Sequence, residues 1–218
     1  MAGADGAICQ VARHGRTVAG WTRSIEFSPT ERMSAEDLFG SLLSANLALL
    51  EHDDFNQMKS ALCRLRVDAI LALHWGVTSK DECLRVLDRR LGCLGVPSPA
   101  EIAAYTAWRY GWPIDSEDCR ALFETGKLLA NEARIIKMED IRDAHLNPMA
   151  WDIQVAYLVR LGLAAGHLSR EHADGVFTRL RQLARVHYQC WRDFSLSALI
   201  GMGMRTPIDP FDLRGWHR

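Results

Sequence analysis

The strongest candidate for ligand chemistry is the adjacent pair Trp151 and Asp152, with Arg160 further along the same predicted helix. An indole ring beside a carboxylate can orient a ligand, and a guanidinium can bind an anion. These three residues predict an alternative ligand pocket for a nucleotide or another anionic small molecule. The competing interpretation is structural, with Trp151 in the core and Asp152 facing the positive end of a helix.

A metal site is not predicted, although His52 and Asp53 form a pair of the kind that metal-dependent phosphohydrolases use. The further ligands would have to come from histidines that lack a supporting spacing, namely His14, His74 and His145. No HExxH, P-loop or G-x-S-x-G motif is present. A cysteine nucleophile stays open, because its histidine partner need not be near it in sequence. We therefore predict no catalytic set, no metal and no cofactor.

Acidic residues near the start of the chain suggest a protein-binding surface instead. They lie at a predicted interhelical turn and on the helix before it: Glu36, Asp37, Glu51, Asp53 and Asp54. Exposed carboxylates speed association with a basic surface, such as the cleft of a toxin that attacks nucleic acid. The five residues are therefore predicted to bind a cognate protein, and the alternative is an ordinary solvated turn.

The overall charge excludes the simplest argument for nucleic-acid binding. The 218 residues include 26 Lys and Arg against 27 Asp and Glu, and arginines are interspersed with acids rather than gathered in one stripe. Nucleic acid is therefore not expected as a partner.

A chain of this length can bury a sizeable core without disulfides or a structural metal.

Cysteine spacing and hydropathy predict a protein of the bacterial cytoplasm. The six cysteines form no CxxC pair, so we expect reduced and mostly buried thiols with no disulfide. The N-terminus lacks a basic segment followed by an apolar one, as a secretion signal requires. No run approaches the roughly 18 apolar residues of a membrane span, so no membrane association is expected.

The elements that position these residues are predicted to be helices. A first helix follows Ser34 and runs to Leu50, and Asp53 or Asp54 is predicted to cap the next one. That second helix carries an apolar stripe at spacings of three and four, formed by Met58, Leu62, Leu65, Ala69 and Leu73, and should end near Trp75-Gly76.

Cap signals mark the later helices. Ser79, Ser98, Asn147 and Ser169 each precede a proline or an acidic first turn, so each is predicted to be an N-cap. Further helices are expected over 116–137 and from Trp191 to Met204. With no convincing run of alternating strands, the fold class is all-α, with about eight or nine helices built from helix hairpins.

Domain boundaries follow from composition. Residues 1–30 are Gly-rich without periodicity and predict an irregular N-terminal segment. The linker candidate Leu94-Gly95-Val96-Pro97 divides an N-terminal helical part, 31–95, from a second helical domain, 96–218. One continuous domain over 31–206 is the alternative.

The last third of the chain resembles the YbeU/YbeR-like bacterial domain of unknown function. The resemblance spans about 60–204 and is specific from 150 to 204, where its pattern is carried by Ala150-Trp151-Asp152, Gly166-His167-Leu168-Ser169, Glu171, Ala173, Trp191-Arg192-Asp193-Phe194 and Gly201. It implies an all-helical cytoplasmic domain and no established reaction. Val155 and Met202 stand where that pattern has arginines, so any anion chemistry of those arginines is expected to be lost.

These observations favour a non-catalytic protein-interaction module. The most concrete expectation is an immunity protein that binds and neutralises a cognate, secreted bacterial toxin. The alternative is a helical enzyme or ligand-binding domain that acts on an anionic small molecule near Asp152 and Arg160.

Overall fold

The fold comes from a computed structural model that describes residues 33–96, 98–112 and 149–205. Within these ranges every regular element is helical and no strand occurs. The predicted all-α class is confirmed, and the number of helices is close to the predicted eight or nine. In chain order they are α1 (Ala35–Leu42), α2 (Ala45–Leu50), α3 (Arg64–Ile70) continued by a π-helical segment (Leu71–Trp75), α4 (Lys80–Gly92), α5 (Pro99–Tyr110), α6 (Met149–Ile153), α7 (Val155–Ala164), α8 (Arg170–His187) and α9 (Trp191–Arg205).

Helix α7 lies at the centre of the fold. Every residue from Val155 to Gly162 is buried, and the helix packs against α1, α2, α3, the π-helical segment, α4, α6 and α8. A helix that is apolar on all sides has to be surrounded, because any free side would leave apolar surface in water. Helix α7 is therefore the core helix of the fold, and Gln154 separates it from α6.

Close approach to α7 depends on Gly162. A Cβ atom at this position would lie 2.8 Å from Leu168 Cδ1 and 3.2 Å from Cys83 Sγ. Glycine therefore lets α4 and the chain after α7 come closer than any other residue would allow.

Two helices begin at serine N-caps that the sequence predicts. The hydroxyl oxygen of Ser79 accepts the Glu82 N–H at 3.3 Å, and that of Ser169 accepts the His172 N–H at 3.3 Å. The Glu82 carboxylate in turn accepts from Thr78, with its Oε2 2.7 Å from the backbone N and 2.6 Å from the hydroxyl oxygen. Both bonds lower the pKa of Glu82, and the bond from the Thr78 hydroxyl has the larger effect.

The remaining cap predictions have different outcomes. Ser98 directly precedes α5, whose first residue is Pro99, as the sequence predicts. Asn147 and the expected helix over 116–137 lie outside the described residues.

The predicted helix from Ser34 to Leu50 is interrupted at Leu43–Ser44. Ser44 is buried, and its hydroxyl donates to Ser41 O at 2.7 Å while accepting from Arg160 Nη1 at 3.1 Å. Because a serine hydroxyl can replace helical backbone bonds, this arrangement favours a turn between α1 and α2.

The prediction that Asp53 or Asp54 begins a helix is wrong. No helix is present between α2 and α3, and α3 begins only at Arg64. The predicted apolar stripe is also divided by the fold. Met58 is buried, but Leu65 and Leu73 point to solvent. The residues of this helical stretch that enter the core are instead Val67, Ile70 and Leu71. The buried side of α3 is therefore not the side that the stripe marks.

One hydrophobic core includes residues from before and after the predicted linker. Leu43, Val67 and Leu87 share it with Leu158 and Phe177. The domain boundaries stay a prediction, and residues 1–30 lie outside the described part of the chain.

Four of the six cysteines are described, and all four are free: Cys63, Cys83, Cys93 and Cys190. Only Cys83 is buried, so the expectation of mostly buried thiols is wrong for the other three, which we call the exposed cysteines. Burial raises the pKa of Cys83 to about 11. Cys9 and Cys119 lie outside the described residues.

Candidate functional site

Arg160 on α7 is a fully buried arginine around which the chain from Asp53 to Ser60 is wrapped. Its Nε donates to Gln57 O at 2.9 Å, and its Nη2 donates to Asp54 O. Its own carbonyl accepts the Ser60 N–H at 3.2 Å. The side chain and the backbone of one residue thus hold a segment that has no regular secondary structure of its own.

The charge of Arg160 is matched by Asp53, whose side chain is also fully buried. Arg160 Nη2 lies 3.6 Å from Asp53 Oδ2, and Asp53 Oδ1 accepts the Ala61 N–H at 2.9 Å. Burial lowers the pKa of Arg160, and the charge of Asp53 opposes that effect. Burial also raises the pKa of Tyr157, and the charge of Asp53 raises it further. Asp53 Oδ2 and the Tyr157 hydroxyl are buried without a hydrogen bond of ordinary geometry, so the cost of burying the ion pair is only partly offset.

The structure does not bring the predicted ligand-pocket residues together. The donors of Arg160 face Asp54 O, Gln57 O and Ser44 Oγ, so the guanidinium is not open to an anion. Asp152 is half-buried and contacts a different segment, with its Oδ2 3.4 Å from Gly95 N. Trp151, also half-buried, is next to Asp152 on α6, whereas Arg160 lies on α7.

The predicted acidic surface is largely neutralised by the chain's own cations. Glu36 Oε1 lies 2.6 Å from Arg185 Nη2, and Asp37 Oδ1 lies 2.8 Å from Arg170 Nη2. Glu36 also contacts a second arginine of α8 at 3.1 Å. These pairs attach α1 to α8, and an exposed ion pair of this kind adds little stability.

The acidic turn itself is only partly exposed. Glu51 Oε1 lies 3.2 Å from His74 Nδ1, and Asp54 Oδ2 accepts from Gln57 Nε2 at 3.2 Å. The expectation that Asp53 is exposed is wrong, because it is buried against Arg160. The five predicted carboxylates therefore do not form one free acidic face.

A different surface lies on the outer side of α3 and of the π-helical segment that continues it. We call it the α3 face and define it as Leu65, Ala69, Ala72 and Leu73. All four residues are exposed, and the leucines are 84% and 80% exposed. Opposite them, Val67, Ile70 and Leu71 enter the core. The sequence signal for this face was available, because apolar residues occur on both sides of this helix, and only the inner side can be covered by the fold.

The π-helical segment, which carries Ala72 and Leu73, ends at Trp75, and Gly76 follows as its C-cap. Gly76 has a positive φ of 65°, and its N–H donates to Leu71 O. Wide turns of this kind occur at helix C-termini, where they satisfy the last carbonyls, and Val77 N–H also donates to Leu71 O at 2.9 Å. The turn therefore ends the helix, and the α3 face is marked by its exposed leucines alone.

No group of three or more His, Cys, Asp or Glu residues is arranged to hold a metal ion in the described part of the chain. Within the same ranges, none of the helices combines the length and the apolar character needed to cross a membrane.

Comparison with known proteins supports a family. A family model described as "Protein of unknown function (DUF1266)" matches residues 70–207. No curated protein and no solved structure matches the chain. The family match includes Leu73, the π-helical segment and every helix from α4 to α9. Because this match spans more than half of the 218 residues, the chain belongs to the DUF1266 family of proteins of unknown function.

Proposed function

We propose that this protein is a non-catalytic interaction module of the bacterial cytoplasm, and most concretely an immunity protein that binds and neutralises a cognate secreted toxin. Within its family we place it with the YbeU/YbeR-like members, on the sequence pattern between Ala150 and Gly201. The observation that supports the interaction role is the exposed α3 face. The proposed docking residues are therefore those of the α3 face rather than the paired carboxylates.

The exposure of Leu65 and Leu73 is costly for a protein that acts alone. Burying a leucine side chain contributes about 1.5–3 kcal/mol, and here almost all of that surface stays in water. Single exposed leucines are ordinary, but an exposed aliphatic row on one helix is typical of a surface that a partner covers.

The alternative role, an enzyme or ligand-binding domain for anionic molecules, is not favoured by the arrangement of its candidate residues. It requires an arginine with free donors beside Asp152. The donors of Arg160 are used by protein acceptors instead.

The test is binding to the toxin encoded beside the gene. Leu65→Gln and Leu73→Gln should each weaken binding about 10-fold or more, since about 1.4 kcal/mol corresponds to a factor of 10. Val186→Gln is the matched control, because Val186 is an aliphatic residue of α8 that is 78% exposed. Glutamine is a good helix former and adds no charge, so folding should be retained in all three variants. Equal affinities for the three variants and the original chain would contradict the proposed docking surface.

A further inference from the structure

We propose that Arg181 and Arg185 of α8 form a binding site for a phosphate monoester, and that the Glu36 carboxylate occupies this site in the free protein. The site lies on other helices than the α3 face, and it goes beyond the proposed interaction role. Three features of the molecule support it, namely the convergence of the two guanidiniums, the contacts that hold them in place and the balance of charge between them and Glu36.

Both oxygens of the Glu36 carboxylate are bound by arginines of α8. Arg181 Nε lies 3.1 Å from Glu36 Oε2, and Arg185 Nη2 lies 2.6 Å from Glu36 Oε1. The two arginines are four residues apart, so they are neighbours on the same side of the helix. Two guanidiniums that hold separate oxygens of one anion are well suited to phosphate, because each of these oxygens receives a charge-assisted hydrogen bond.

The two guanidiniums are held in place by groups other than the Glu36 side chain. Arg181 is only 11% exposed, and its Nη2 donates to Thr178 Oγ1 at 2.9 Å. Its Nη1 donates to the backbone carbonyl of Glu36 at 3.0 Å. The guanidinium carbon of Arg185 lies 5.0 Å from the centre of the Phe39 ring, which is a cation–π distance. These contacts do not require the Glu36 carboxylate, so the arginines are preorganised for another anion.

Helix α1 stays packed on α8 without the Glu36 carboxylate. Gly40 lies against Phe177, so closely that an added Cβ would be 3.1 Å from the ring. At the other end of α8, Asp37 Oδ1 lies 2.8 Å from Arg170 Nη2. The Glu36 side chain is 54% exposed. A ligand can therefore replace this side chain without separating the two helices.

The charges at the site favour a doubly charged ligand. Two guanidiniums face one carboxylate, so these three residues together carry one positive charge. A phosphate monoester carries close to two negative charges near neutral pH and has three strong acceptor oxygens, so it matches both arginines. A carboxylate matches only one of them. Because exposed ion pairs contribute little to stability, replacing the Glu36 carboxylate by a ligand costs little.

The experiment measures the binding of inorganic phosphate to the full chain by isothermal titration calorimetry, at low ionic strength and about pH 8. Glu36→Gln removes the competing carboxylate, and we expect this variant to bind phosphate at least about 10-fold more tightly than the original chain. Asp37→Asn is the matched control, because it removes the neighbouring carboxylate, whose partner Arg170 keeps a second one, Asp174. The control should bind phosphate within about 3-fold of the original chain.

Two further measurements test the identity of the anion and of the site. Acetate should bind the Glu36→Gln variant at least about 10-fold more weakly than phosphate, because it carries a single charge. Adding Arg185→Gln to that variant should abolish the gain in phosphate binding. Glu36 and Arg185 are both more than half exposed, so the variants should fold.

Four results would each overturn the proposal. They are no gain in phosphate binding after Glu36→Gln, an equal gain after Asp37→Asn, equal binding of acetate and phosphate, and a gain that persists after Arg185→Gln.

Discussion

Replacing Arg160 by methionine tests the buried ion pair and is predicted to be among the most destabilising changes in the described part of the chain. Arg160 is fully buried, forms an ion pair with Asp53, and donates hydrogen bonds to the carbonyls of Asp54 and Gln57. Methionine is a flexible apolar residue of similar length. The substitution therefore removes the charge and the donors while leaving most of the volume filled.

The expected loss in the free energy of unfolding is about 3–5 kcal/mol. Removing one partner of a buried ion pair costs about that much, because the other charge stays buried without compensation. The carbonyls of Asp54 and Gln57 lose a donor as well, at about 1 kcal/mol each. The desolvation of the guanidinium, which lowers the pKa of Arg160, is no longer required and offsets part of this cost. The net loss is a large fraction of the about 5–15 kcal/mol by which a typical domain is stable.

The assay is urea unfolding followed by tryptophan fluorescence and far-ultraviolet circular dichroism, with the slope of the transition compared between variants. Arg85→Met is the matched control on α4, because Arg85 is 74% exposed and lies 3.9 Å from its acidic partner. The control should cost less than about 1 kcal/mol. Arg160→Met combined with Asp53→Leu should recover part of the loss, because apolar replacements of a buried pair are often tolerated. A loss below about 1 kcal/mol for Arg160→Met, or no recovery in the double variant, would refute this reasoning.

Three further predictions concern packing, capping and thiol chemistry. Gly162→Ala places a methyl group 2.8 Å from Leu168 and should destabilise the protein by about 1–3 kcal/mol in thermal unfolding. The control is Gly175→Ala on α8, where the new methyl group has nothing within 4 Å, so this change should be neutral or stabilising. Ser169→Ala should cost about 1 kcal/mol in urea unfolding through loss of the cap to α8, and Ser169→Asp should retain most of that stability; equal losses in both variants would argue against the cap. Burial raises the pKa of Cys83 to about 11, so its thiol should react slowly at about pH 8. A thiol-reactive dye should therefore label the exposed cysteines within minutes and Cys83 only after unfolding. Rapid labelling of Cys83 in the folded state would contradict its burial.

The parts of the fold that the sequence predicted well depend on neighbours in the chain. The caps at Ser79 and Ser169 and the stop at Gly76 involve residues within six positions of each other, so their chemistry is visible in a short window. The central position of α7 was equally visible, since a run of apolar residues around all sides of a helix has to be buried. These signals were enough for the all-α class and for most helix boundaries in the described residues.

The candidate site was less accessible to sequence reasoning. Asp53 and Asp54 looked like an exposed acidic cap, because such residues usually are exposed and often begin helices. Their actual positions depend on Arg160, more than 100 residues further along the chain. A window of sequence cannot show that a distant guanidinium takes the carbonyls that a helix would otherwise have used.

Sequence alone thus determined the helical class, the caps at Ser79 and Ser169 and the apolar character of both sides of α3. Tertiary structure decided which side of α3 faces the core and which carboxylate is buried. The physical reason is that α7 offers only one surface to α3, so Val67 and Leu71 occupy it and Leu65 and Leu73 are left in water. Periodicity reports that a face is apolar, but only the packing of distant elements determines whether that face is covered by the chain itself or left for a partner.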